Sequence, residues 1–157
     1  MLIVIHSGQT GVERGAHRAA VSHGIQLAGF MPLDRRDELG PIPADVCKHL
    51  TPCFDRGPRP AIRANVALAS GVLLVVPDRS RAGKFTAMQA VINAVRAAHA
   101  PSLVADPSSD LEDVARWARG LPETSGSVRL MVTGPRSTRW LEGESCALRM
   151  ISAIALT

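Results

Sequence analysis

Tyrosine is absent from the 157 residues, and two tryptophans and three phenylalanines bring the aromatic content to only 3%. Proteins that stack single-stranded bases need more rings than this, so the shortage argues against a nucleic-acid partner. Three cysteines, an odd number, speak against a disulfide framework and fit a reducing cytoplasm. No apolar run approaches the roughly 18 residues of a membrane span. The first residues, Met1-Leu2-Ile3-Val4-Ile5-His6, lack a basic region and a small-residue cleavage site, so they do not read as a signal peptide. Lysine is nearly missing as well. Lys48 and Lys84 are the two lysines among 18 basic residues, which leaves 16 arginines in a chain of net charge +4. Arginine favours two-pronged capture of phosphate or carboxylate, although a GC-rich genome would also enrich it.

What is present is a chain 46% apolar and long enough for one domain with its own core, 1–157. Leu2–Ile5 reads as a buried strand. Ser7-Gly8-Gln9-Thr10-Gly11 reads as a loop, followed by a helix to about His23. Thr10 and Glu13 have capping-box spacing, and Gly24 suits the residue after the helix. Ile25–Phe30 is a second strand candidate. Met31–Pro60 contains six of the 11 prolines and predicts a long functional or disordered loop. Ala61–Ser70 predicts a helix, Gly71–Val76 a buried strand and Ala82–His99 a second clear helix. Ser102–Ala105, Asp110–Arg119, Val128–Val132 and Leu141–Leu156 continue the alternation. Strands alternating with helices predict a Rossmann-like three-layer α/β/α fold with a mainly parallel sheet of five or six strands. Such sheets bind ligands beyond the carboxyl ends of their strands.

The loops at that edge supply the candidate residues. Ser7–Gly11 leads into a helix N-terminus whose free amides favour an anion. The spacing of Gly8, Gly11 and Gly15 is not the dinucleotide fingerprint. In Pro77–Thr86, Gly83-Lys84 invites comparison with a P-loop, but Asp78 replaces its first glycine and Phe85 its Ser or Thr. A nucleotide triphosphatase is thereby excluded, while Arg79, Arg81 and Lys84 can still surround an anion. Gly134-Pro135 makes a sharp exit that aims Arg136 across the edge. Cys47, His49 and Cys53 fall near one another, but a zinc site needs four ligands and no second pair exists. His6 can act as a base or as a satisfied strand-end residue. Ser7 lacks evident triad partners. No catalytic set and no metal site is assigned.

Four segments, taken in order, resemble the family known as the putative molybdenum carriers, bacterial relatives of molybdenum-cofactor carrier proteins. They are Gly8-Gln9-Thr10-Gly11-Val12 with Arg14; Pro32 with Arg35-Arg36 and Gly40-Pro41-Ile42-Pro43; Arg63 with Asn65-Val66; and Gly134-Pro135-Arg136. The resemblance places the chain in a Rossmann-like superfamily with the lysine-decarboxylase-like phosphoribohydrolases and the DNA-processing protein A core. It implies a cytoplasmic homo-oligomer, dimer or tetramer, that binds the molybdenum cofactor (molybdopterin) or another nucleotide-like anion. Together with the loops at the carboxyl edge, it gives a candidate site of Ser7, Gly8, Gln9, Thr10, Gly11, Arg14, Arg35, Arg36, Arg63, Asn65, Lys84, Thr86, Gly134, Pro135 and Arg136. The chain departs from the family pattern at His6-Ser7, where Ser-Gly is usual. It departs again at Arg81–Lys84, where Gly-Gly-Thr is usual. The phosphoribohydrolase Pro-Gly-Gly-x-Gly-Thr motif is missing. A binding protein for a phosphate-bearing small molecule is therefore the leading expectation. A nucleotide sensor or nucleotide N-glycosidase is the second, and a DNA-binding protein the third.

Overall fold

The structure, a computed structural model, describes residues 1–157. Its centre is a sheet of five strands: β1 (Leu2–Ile5), β2 (Gln26–Ala28), β7 (Gly71–Val75), β8 (Ser102–Ala105) and β9 (Val128–Thr133). Every pairing in it is parallel, and the spatial order is β2-β1-β9-β7-β8. Side chains alternate between two apolar layers along each strand. Val4, Leu73, Val75, Leu130 and Val132 face α1 (Val12–Ser22), α5 (Leu111–Arg119) and α6 (Gly143–Ala155). Ile3, Ile5, Val72, Leu74 and Met131 face α3 (Pro58–Leu68) and α4 (Thr86–Ala98). Both faces are covered, which is why these strands read as continuous apolar runs. The three-layer α/β/α arrangement is thus as expected, with five strands.

Renumbering the strands from the centre makes the topology plain. If β9 is taken as the first strand, the order becomes 3-2-1-4-5, that of the dinucleotide-binding fold. The chain therefore runs through a familiar sheet from a different starting point, and the central strand comes last. The order reverses between β9 and β7, and the crevice beyond their carboxyl ends is where this architecture places ligands.

Several boundaries differ from expectation. The second strand candidate breaks at Gly29 (φ +135), where a side chain would run into the His6 backbone. β2 stops at Ala28, and Phe30–Met31 becomes β3 of a separate parallel pair with β6 (Thr51–Pro52). The proline-rich stretch is also structured. It forms an antiparallel hairpin of β4 (Arg36–Asp37) and β5 (Gly40–Pro41), then a short helix α2 (Ala44–Cys47). Met31, Ile42, Val46 and Leu50 give it a small core of its own. The helix expected from Ala82 begins four residues later. Asp78 accepts from the Ser80 amide and starts a 3-10 turn over Arg79–Lys84, and Phe85 is extended before α4. Thr10 and Glu13 do not form a capping box. Gly11 caps α1 with no side-chain bond, because both polar side chains are engaged elsewhere. No helix is long and apolar enough to cross a membrane.

Candidate functional site

The crevice is built from the exits of β1, β7 and β9, the first turn of α4 and the start of α3. A cavity of about 200 Å³ lies deepest, lined by Ser7, Gln9, Glu13, Arg59, Thr133, Gly134, Arg136 and the first turns of α4. It opens into a cleft of about 610 Å³ walled by Glu38, Lys84, Thr86, Pro135, Arg136, Thr138 and Arg139. On its other side a groove of about 420 Å³ runs between α3 and α4, past Arg59, Arg63, Gln89 and Asn93. Thr86 borders all three spaces, and Arg136 borders the first two. The ion pairs of the protein are Arg14–Asp37, Arg18–Glu144 and the pairs of Arg116 with Glu112 and Asp113. Arg59, Arg63, Lys84, Arg136 and Arg139 have no carboxylate partner, so five cations around the crevice are uncommitted.

Glu13 forms the floor. Its Oε1 accepts from the Ser7 amide (2.6 Å) and the Ser7 hydroxyl (2.7 Å), while Oε2 accepts a long bond from Thr133 Oγ1 (3.4 Å). Burial pushes its pKa above the ordinary carboxylate value, and the Ser7 bonds oppose that shift. A desolvated carboxyl of this kind holds a proton more readily than an exposed one. It can donate to a ring nitrogen or carbonyl of a ligand, or accept from a ligand N–H. In the sequence, Glu13 stands out only for its capping-box spacing with Thr10. Its burial follows from Ser7 folding back, which spacing alone does not reveal.

The first loop is tightly used. The Ser7 amide goes to Glu13, and the Gly8 amide donates to His6 Nδ1 (2.9 Å). Gly8 (φ +83) and Gly11 (φ +79) adopt a backbone that suits glycine, and Gly11 sits against the backbone of Pro135–Ser137. His6 points away from the crevice, to His17 (Nε2 to Nδ1, 3.1 Å), and His17 stacks edge-on against His49. Because Nδ1 of His6 accepts from Gly8, Nε2 is the protonated nitrogen that donates to His17. Burial holds the His6 pKa down, to about 3. Arg14 donates to the Gly8 carbonyl (2.9 Å) and pairs with Asp37 (3.0 Å), bracing the hairpin to the loop.

The remaining candidates divide into two groups. Ser7, Gln9, Lys84, Thr86, Gly134, Pro135 and Arg136 line the crevice, and Arg63 lines the groove beside it. Asn65 is fully buried and clamps β3, accepting from the Phe30 amide (2.7 Å) and donating to its carbonyl (3.0 Å). Thr10 Oγ1 donates to Glu38 (2.5 Å). Arg35 and Arg36 are exposed on the hairpin and border none of these three spaces; Arg35 holds a left-handed backbone (φ +55). Cys47, a conceivable soft ligand, instead donates to the Ile42 carbonyl (3.4 Å) under the hairpin. No three His, Cys, Asp or Glu side chains converge as a metal site. Glu38, Arg59 and Arg139 are additions that sequence spacing could not supply, since they depend on how the loops fold.

Comparison with known proteins agrees with this topology. A crystal structure described as "Putative molybdenum carrier protein", from Syntrophus aciditrophicus SB, superposes with a TM-score of 0.81 at 21% identity. The match covers 98% of this chain and 93% of that one. No curated protein matches by sequence. The family described as "Circularly permutated YpsA SLOG family" matches residues 4–154. That span holds all five strands of the re-cut sheet except the first residues of β1, and with it the whole crevice. The chain, a Rossmann-like α/β/α protein, therefore belongs to the circularly permutated YpsA SLOG family.

Proposed function

We propose that the protein binds a phosphate-bearing small molecule in the crevice between β9 and β7 and releases it unchanged. The observation that supports this most strongly is Arg136, an unpaired guanidinium that borders both the deep cavity and the wide cleft. Lys84, Arg139 and Arg59 lie around the same spaces without carboxylate partners. Charge-assisted bonds from these groups hold the phosphate, and Glu13 Oε2 reads the polar edge of the attached heterocycle.

The molybdenum cofactor is the first candidate, suggested by the description of the structural relative. The crevice suits a pterin ring with a phosphate: cations surround the wide cleft and a protonatable carboxyl lies beneath. No His or Cys lines the three spaces, so the metal would be carried on the cofactor's own sulfurs. Nucleoside monophosphates present the same pairing of ring and phosphate and form the second candidate class.

The test is calorimetric titration with adenosine 5′-monophosphate and with molybdopterin. Arg136→Ala is expected to weaken binding by about 1.5–3 kcal/mol, the worth of a direct charged hydrogen bond. Unchanged affinity would remove Arg136 from the site. Glu13 is the observation that favours a second reading, nucleotide N-glycosidase. Release of free adenine by the wild type, abolished in Glu13→Gln, would establish that reading in place of a carrier or sensor.

A further inference from the structure

Glu38 is the most heavily hydrogen-bonded carboxylate at the crevice. It stands at the tip of the β4–β5 hairpin and reaches into a nest of hydroxyls on two other loops. Thr10 Oγ1 donates to it at 2.5 Å and Ser137 Oγ at 2.9 Å. The Thr138 amide donates at 3.3 Å, and the Thr138 hydroxyl donates as well. The nest is itself ordered, because the Ser137 amide donates to Thr10 Oγ1 (3.2 Å). These bonds hold the Glu38 carboxyl down to about 2, so it is an anion at every physiological pH.

Two features make this arrangement more than a loop brace. Ser137 and Thr138 of the nest follow β9, the central strand of the sheet, and in this architecture the loop after the central strand receives a ligand's phosphate. A carboxylate now fills that place. Moreover, Glu38 borders the same cleft as Lys84, Arg136 and Arg139, yet forms no ion pair with any of them. One carboxylate satisfies the hydroxyls and leaves three cations unanswered. A terminal phosphate, with three outer oxygens and nearly two negative charges, can satisfy both sets together.

We infer that Glu38 is an internal competitor: its carboxylate plugs the Thr10–Ser137–Thr138 nest and is displaced by the phosphate of the incoming ligand, which frees the hairpin tip. This deepens the binding role proposed above and rests on it. No covalent step is involved; one oxyanion replaces another on the same donors. The hairpin keeps its other ties, Asp37 to Arg14 and the Gln9 side-chain amide to the Arg36 carbonyl (3.3 Å). It therefore loosens at Leu39–Gly40 without leaving the fold.

Inorganic pyrophosphate is the probe, titrated calorimetrically into the wild type, Glu38→Gln and Glu38→Gln with Thr138→Val. Glu38→Gln is expected to bind at least tenfold more tightly than the wild type, and the added Thr138→Val to lose most of that gain. Hydrogen exchange on the wild type needs no variant: pyrophosphate is expected to speed amide exchange at residues 37–40. If the wild type binds pyrophosphate while Glu38→Gln binds equally or less well, and exchange at the hairpin slows, Glu38 is a brace. The competitor role then falls while the phosphate crevice stands. If none of the proteins binds pyrophosphate or adenosine 5′-monophosphate, the phosphate crevice falls and the competitor role falls with it.

Discussion

At the scale of single residues, the crevice depends on which polar groups are already spoken for. Ser7 and Gly8 spend their amides on Glu13 and His6, so the first loop offers few free donors to a ligand. Lys84, Arg136 and Arg139 are unspent and do offer charge. The buried pair His6 and His17, with half-buried His49 against it, lies behind that loop and should govern its tolerance of acid. His6 titrates near 6.5 in an unfolded chain and at about 3 in the folded one. Between those values the unfolded chain carries the extra proton, so stability falls as pH falls, by about 1.4 kcal/mol per unit. The lowered His17 acts in the same direction, and Glu38 joins below its ordinary value near 4.5. Glu13, with its pKa raised, has the opposite sign and costs stability as pH rises above 4.5. Urea unfolding at pH 6.5, 5.5 and 4.5 should show the decline. In His6→Asn, whose side-chain oxygen can still accept from Gly8, the slope should flatten. An unchanged slope would assign the acid sensitivity to other groups. Arg136, Lys84 and Thr86 were legible in the sequence because they follow apolar strands, where the ligand edge must lie. Glu38 was not, because its place depends on a loop folding back across nearly 100 residues of sequence to Ser137.

At the scale of elements, close backbone approaches set the shape of the crevice. Gly134 ends β9 where a side chain would meet the Val75 carbonyl and, at 2.6 Å, Val12 Cγ2. Gly134→Ala should therefore cost about 1–3 kcal/mol through overpacking. In a protein of this size that lowers the melting temperature by roughly 2–10 °C. Calorimetric melting checks it, and an unaltered midpoint would mean that β9 and α1 can separate freely at this point. Helix signals were legible where local chemistry governed them. The α5 helix expected over Asp110–Arg119 forms at Leu111–Arg119, where Asp110 accepts from the Glu112 and Asp113 amides as a local cap. They failed at α4, where the apolar period continues upstream but Asp78 diverts the chain into a 3-10 turn. They failed again at Thr10 and Glu13, whose capping spacing was overridden by tertiary bonds to Glu38 and Ser7.

At the scale of the molecule, the sheet places its central strand, β9, near the end of the sequence. Alternating apolar runs made the three layers and the parallel strands readable from composition and period. Strand order was not readable, since the same runs fit several right-handed windings. Only the pairing of β9 with both β1 and β7 shows that the last strand is central. The proline-rich stretch reads as a loop for the same reason: Met31, Ile42, Val46 and Leu50 are scattered in sequence and meet only in the fold. The arginine excess that stands out in the composition resolves into a local pattern. Few of these cations are paired, and the crevice gathers Arg59, Arg63, Arg136 and Arg139 around Lys84 and Thr86. Amide chemical-shift mapping of the isotope-labelled protein with adenosine 5′-monophosphate asks whether this crevice is the ligand site. Saturable shifts are expected at Ser7–Gln9, Lys84–Met88 and Gly134–Arg139, all lost in Arg136→Ala. Shifts confined to other surfaces, or none at millimolar nucleotide, would contradict that assignment.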